Sequence, residues 1–162
     1  MPVNVVKELF LVYFLISGGG IMATVVQSIE INAPVEECFD VICDFENYPK
    51  FLDGMKKVKV LKQTEDNAHV QFTLDLFKRI TYTLDMKMDA PGSVTWTLAD
   101  ADLMKKNEGG WTLTKKSAKK TKAEYKIDID FTIWVPGPIA DFLINSSVPA
   151  TLESFKKRIE SM

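Results

Sequence analysis

The spacing of hydrophobic and polar positions changes twice along this chain. Ala23 to Asn32 alternates, with Val25, Ile29 and Ile31 on one face and Ser28 and Glu30 on the other. That is the pattern of a half-buried strand. Val35, Phe39 and Ile42 then recur at helical spacing. Asn32 is expected to cap this short helix with Pro34 in its first turn, and Glu36 and Glu37 suit its positive end. Asn47-Tyr48-Pro49 should break it; Lys50 to Asp53 adds a second short turn that Gly54 ends.

From Met55 the two-residue period takes over. Val58, Val60 and Leu61 precede a polar turn at Glu65-Asp66-Asn67. Ala68, Val70, Phe72, Leu74 and Leu76 alternate with polar residues, as do Ile80, Tyr82, Leu84, Met86 and Met88. Pro91-Gly92 turns the chain into Val94, Trp96 and Leu98; Gly109 to Lys115 carries Trp111 and Leu113. Tyr125, Ile127, Ile129, Phe131 and Ile133 form the last alternating run. Strand signals about every 10–13 residues predict an antiparallel meander.

Helical spacing returns at Pro138 to Glu160. Ile144, Val148, Leu152, Phe155 and Ile159 share one stripe, which Ile139, Phe142 and Leu143 extend. Glu153, Lys156, Lys157 and Glu160 occupy the opposite face. Pro149 should kink or split this helix, because it removes a backbone bond. A sheet wet on one face must cover the other. The pattern therefore predicts an α+β fold: a curved antiparallel sheet of about 6–7 strands wrapped around one long C-terminal helix, with two short helices after the first strand.

Length and charge narrow the classes. The 162 residues suit one domain, and a net charge of −2 gives no global basic field for nucleic acid. Cys38 and Cys43 sit five apart on a helix, so their side chains diverge by roughly 140° and cannot pair. Free thiols point to a reducing, cytoplasmic setting. Residues 1–21 do not fit the rest: Leu9 to Ile16 is apolar and Gly18-Gly19-Gly20 follows. The run is shorter than the roughly 20 residues a bilayer span needs. Three readings stand. Met22 is the natural start and the leader an upstream artefact; the leader is an export signal or anchor; or it is part of the fold. The unpaired cysteines favour the first. The domain is expected to occupy residues 23–162.

Candidate chemistry is sparse. The single histidine, His69, falls on the polar side of its strand, so no histidine metal set or serine–histidine pair stands out. No cofactor is expected. Asp44 is read as a turn cap before Tyr48-Pro49. Lys115, Lys116, Lys119, Lys120 and Lys122 cluster at a hairpin, where the default is a solvated turn and the sharper option a weak contact with an anionic membrane or a ribosome. Aromatics and methionines on the inward strand positions face small residues on the last helix, Ser146, Ser147 and Ala150. That combination suits a cavity better than a tight core.

The run from Ile29 to Leu52 resembles the opening of the polyketide cyclase/dehydrase branch of the START-like (SRPBCC) superfamily. Ala33-Pro34, Asp44, Tyr48-Pro49 and Phe51 carry the likeness, with Gly110-Trp111 and Val135-Pro136-Gly137 farther on. The likeness spans about residues 24 to 160. It implies a helix-grip fold with a deep pocket between sheet and last helix. The coenzyme Q-binding and ribosome-associated members usually approach the end of that helix with a phenylalanine-rich stretch, which is not evident here.

Three functions follow as expectations. The first is a non-catalytic binder of a hydrophobic small molecule or lipid. Phe72, Leu74, Leu84, Met86, Trp96 and Leu98 would line its cavity with Trp111, Phe131, Phe142 and Ser146, and Tyr48 and Phe51 would gate it. The second is an aromatase/cyclase-type enzyme using Tyr82 or Tyr125 as proton donor. The third is a ribosome- or protein-associated module working through the lysine hairpin. Few ionisable residues fall on inward strand positions, which favours the first over the second.

Overall fold

The computed structural model describes residues 11–17, 20–75 and 78–162, with side chains from residue 23 onward apart from Ile144. The expected leader residues 1–10 and Gly18-Gly19, and Leu76 of the alternating run, lie outside the described residues, as does the side chain of Ile144 from the expected stripe.

Strands β1 (Leu11–Ser17), β2 (Gly20–Ile31), β3 (Met55–Gln63), β4 (Asn67–Asp75), β5 (Arg79–Asp89), β6 (Ser93–Ala101), β7 (Met104–Ser117) and β8 (Lys120–Phe131) form one antiparallel sheet. Its order is β1-β2-β8-β7-β6-β5-β4-β3. The meander from β3 to β8 follows the two-residue period. β8 then pairs with β2, with Val25 opposite Ile127 and Ile31 opposite Thr121. Among the described residues, seven strands, β2 to β8, make the expected sheet, and an eighth is added at its edge. The extra one is β1, which pairs with β2 with Leu11 opposite Val26 and Ser17 opposite Gly20.

Two local expectations are corrected between β2 and β3. Asn32 does not cap α1 (Val35–Cys43); Pro34 holds the cap position without a side-chain bond. The backbone N–H of Asn32 instead donates to Glu160 Oε1 at 2.7 Å, tying the end of β2 to the end of the last helix. α1 already ends at Cys43, ahead of the expected breakers, and the second turn expected at Lys50 to Asp53 forms earlier, around Tyr48 and Pro49. Both lie inside a 3₁₀ turn, Phe45–Lys50, and the Tyr48 carbonyl accepts from the Phe51 and Leu52 backbone N–H groups at 3.2 and 2.9 Å. Gly54 ends the segment at φ 81°, a left-handed conformation that glycine adopts without steric cost.

The covering helix is split. α2 (Gly137–Phe142) runs into a π turn, Leu143–Ser147, and then α3 (Val148–Glu160). Pro149 has no N–H for the carbonyl four residues earlier, which accounts for the break in the ladder. The Thr151 hydroxyl donates back to the Ser147 carbonyl at 2.9 Å, at the junction of the π turn and α3. α3 buries Leu152, Phe155 and Ile159 against the sheet, as the stripe predicts. Among the described residues, no helix is long and apolar enough to cross a membrane.

Candidate functional site

The space between sheet and helix is filled at one end and hollow at the other. At the filled end the Phe155 ring sits edge-on to Tyr48, Phe51 and Trp111, with centroids 5.2, 5.1 and 5.1 Å away. The Tyr48 hydroxyl is spent on the Ile42 carbonyl. Toward α2 the helix side chains that line the space shrink to Thr151, Val148, Ser147 and Ala140, with Val148 packed beside Ala23 and Val25 of β2. Two adjoining lobes remain: one of about 190 Å³ toward α2, and a smaller one of about 110 Å³ that reaches in among Tyr48, Trp111 and Phe155. The larger already exceeds the cavity of about 150 Å³ that accommodates a benzene ring.

The lining is almost wholly apolar. Leu74, Ile80, Ile129, Phe131 and Val135 face the larger lobe. Tyr48, Phe72, Leu84, Met86, Trp96 and Trp111 face the smaller. Between them Tyr82, Asn107, Tyr125 and Thr151 border both lobes, with Leu52, Met55 and Ile127. Asp53, exposed at the rim, is the single charged residue of the described lining.

The polar groups of this waist are neutral. Asn107 is only 3% exposed. The Trp96 indole N–H donates to its Oδ1 at 3.0 Å, and its own amide faces the Met104 sulfur at 3.7 Å, a weak acceptor. Burial pushes the Tyr82 and Tyr125 hydroxyls up, so both stay protonated; for Tyr82, the nearness of Tyr125, whose phenolate would repel a second one, adds to the effect.

Eight of the sequence-predicted residues line the hollow: Tyr48, Phe72, Leu74, Leu84, Met86, Trp96, Trp111 and Phe131. Four do not. Phe51 is committed to packing with Tyr48 and Phe155, under the Arg158 guanidinium. Leu98 packs half-buried against the core. Phe142 is 54% exposed and Ser146 faces outward, because the π turn rotates that part of the helix away from the sheet. Asn107 was missed. Starting β7 at Gly109 hid it, although stepping back from Trp111 in twos through Gly109 reaches Asn107 on the same inward face.

The remaining candidates are peripheral. His69 Nδ1 lies 2.6 Å from Asp85 on the outer face. Asp44 accepts from the Asn47 amide at 2.6 Å, a turn contact. Cys38 and Cys43 are free thiols, both pushed up by burial, Cys43 to about 12. Lys115, Lys116, Lys119 and Lys120 are exposed on the β7–β8 hairpin, and Lys120 lies 3.5 Å from Glu30; Lys122 is partly covered.

Residues 31–156 match the family described as polyketide cyclase / dehydrase and lipid transport. The chain belongs to this family. It is similar to the ribosome association toxin RatA of Vibrio cholerae, 28% identical over 114 residues, which is 68% of this chain and 77% of that one. A START superfamily protein from Mycobacterium smegmatis superposes with a TM-score of 0.75 at 17% identity, over 85% of this chain and 97% of that one. The Zhui aromatase/cyclase of a Streptomyces species gives 0.74 at 16% identity, over 86% and 94%. These likenesses place the chain in the START-like helix-grip fold.

Proposed function

We propose that this protein binds a hydrophobic small molecule or lipid in the two-lobed hollow, without transforming it. The apolar, nearly charge-free lining carries the reading. An apolar guest burying on the order of 300 Å² gains roughly 7 kcal/mol before association costs. An acid–base mechanism needs a group that exchanges protons near neutral pH. The two tyrosines that border the lobes are pushed the other way, toward holding their protons. Native mass spectrometry of the purified protein, paired with organic extraction, tests the reading. A co-purifying apolar molecule or saturable binding from a lipid panel supports it. An empty protein that binds nothing from the panel overturns it.

A second reading, association with the ribosome, draws on the name of the RatA relatives and on the exposed hairpin lysines. Co-sedimentation with ribosomes over a salt series tests it. Replacing Lys115, Lys116 and Lys119 with glutamate should weaken pelleting and flatten its salt dependence. Pelleting that ignores both salt and these substitutions overturns the hairpin's part in it.

A further inference from the structure

We infer that Tyr82, Tyr125 and Asn107 form a waist of neutral hydrogen-bond donors, selecting an uncharged apolar guest that carries an acceptor oxygen such as a ketone carbonyl. The inference rests on the cavity reading above and names the chemistry that cavity prefers.

The three residues come from different strands, β5, β8 and β7, yet each borders both lobes. They therefore meet where a guest filling both lobes must pass. Of the three other hydroxyls of the lining, two are already used, and the third, on Ser147, borders only the larger lobe. Tyr48 donates to the Ile42 carbonyl and Thr151 to the Ser147 carbonyl. Among the described residues the Tyr82 and Tyr125 hydroxyls make no hydrogen bond, and they are not sealed against bulk protein but open onto the hollow. Trp96 holds the Asn107 carbonyl oxygen, which turns the amide N–H groups away from the indole and leaves them only the Met104 sulfur.

Donors placed this way in an apolar wall set three preferences. A carbonyl at the waist supplies the missing acceptor. A hydrocarbon of the same shape strips water from the donors and returns nothing, which is how a polar site rejects an analogue lacking its partner. A carboxylate enters with its charge, and no cation lines the described wall to receive it, so its desolvation goes uncompensated.

The test titrates the full chain with three probes of matched size: naphthyl methyl ketone, isopropylnaphthalene and naphthoate, read by calorimetry at neutral pH. The ketone should bind about tenfold more tightly than the hydrocarbon, the scale of one net hydrogen bond, and naphthoate about tenfold more weakly than the hydrocarbon. In a Tyr82→Phe/Tyr125→Phe variant the ketone's advantage should vanish, because the ketone loses its donors and the hydrocarbon, no longer stripping water from them, binds more tightly than it does to the parent. Tyr82→Phe alone serves if the double variant unfolds, and should halve the advantage on a logarithmic scale. Equal binding of all three probes, or tighter binding of naphthoate, overturns the donor waist and leaves the cavity reading standing. No binding of any probe, with nothing co-purifying, overturns both.

Discussion

The Trp96 indole N–H donates to Asn107 Oδ1 at 3.0 Å, and both side chains border the smaller lobe. This bond sets which way a buried amide points in a wall that is otherwise oil. Asn107→Leu leaves the indole N–H without an acceptor and should lower stability by about 1–3 kcal/mol. Adding Trp96→Phe removes the stranded donor, so the double variant should lose less than the sum of the singles, by about 1 kcal/mol. Urea unfolding of the four proteins in the cycle measures this. Strict additivity would mean the pair contributes no coupling.

Two glycines should respond oppositely to alanine. A Cβ on Gly109 would collide with the Lys126 backbone carbonyl of the neighbouring strand, a contact that only backbone movement can relieve. A Cβ on Gly92 would meet nothing within 4 Å. Gly109→Ala should cost about 1–3 kcal/mol or more, while Gly92→Ala should stay within about 0.5 kcal/mol of the parent. Thermal unfolding distinguishes them. Equal effects would show that β7 can withdraw from β8 at little cost.

What the sequence made legible follows from period. A two-residue repeat names which strand residues point inward, so Phe72, Leu84, Trp96 and Phe131 could be placed without coordinates. A 3.6-residue repeat did the same for Leu152, Phe155 and Ile159. It failed at Phe142 and Ser146, because Pro149 imposes a π turn upstream and the helical period slips there. Asn107 escaped because a polar residue on an inward position reads as loop until its partner, Trp96, is known to reach it. The size of the hollow was not legible at all. It depends on how far Phe155 fills one end, which no spacing encodes.

Stability should fall in alkali with an identifiable contribution from Cys43. Burial raises the folded thiol from 9.0 to about 12, with Asp40 adding a smaller push. In the unfolded chain the thiol ionises near its ordinary value, so from about pH 9 to about pH 12 the unfolded state holds fewer protons and gains relative to the folded one. The thiol's contribution is whole below that window and is lost as pH rises through it. Cys43→Ala should therefore flatten the decline in urea-unfolding stability between about pH 8 and about pH 11. The raised tyrosines, Tyr48, Tyr82 and Tyr125, sustain the remaining decline above about pH 10 in both proteins. An identical slope in parent and variant would place Cys43 in contact with solvent.

Filling the larger lobe should separate binding from folding. Val148 lines that lobe from the first turn of α3, and Ala140 faces it from α2. Val148→Phe adds a ring where about 190 Å³ lies empty, so the new volume enters a void instead of displacing packed atoms. Overpacking a tight core costs about 1–3 kcal/mol, whereas a filled void should change stability by less than about 1 kcal/mol or raise it. Guest affinity should drop at least about tenfold, since a ring's worth of apolar contact is denied to the ligand. Thermal unfolding and calorimetry with the naphthyl ketone read the two effects on one preparation. Lost stability with unchanged affinity would mean that the lobe is already closed in solution and that guests, if any, bind elsewhere. Retained stability with lost affinity would locate the binding site in the space between α3 and the sheet.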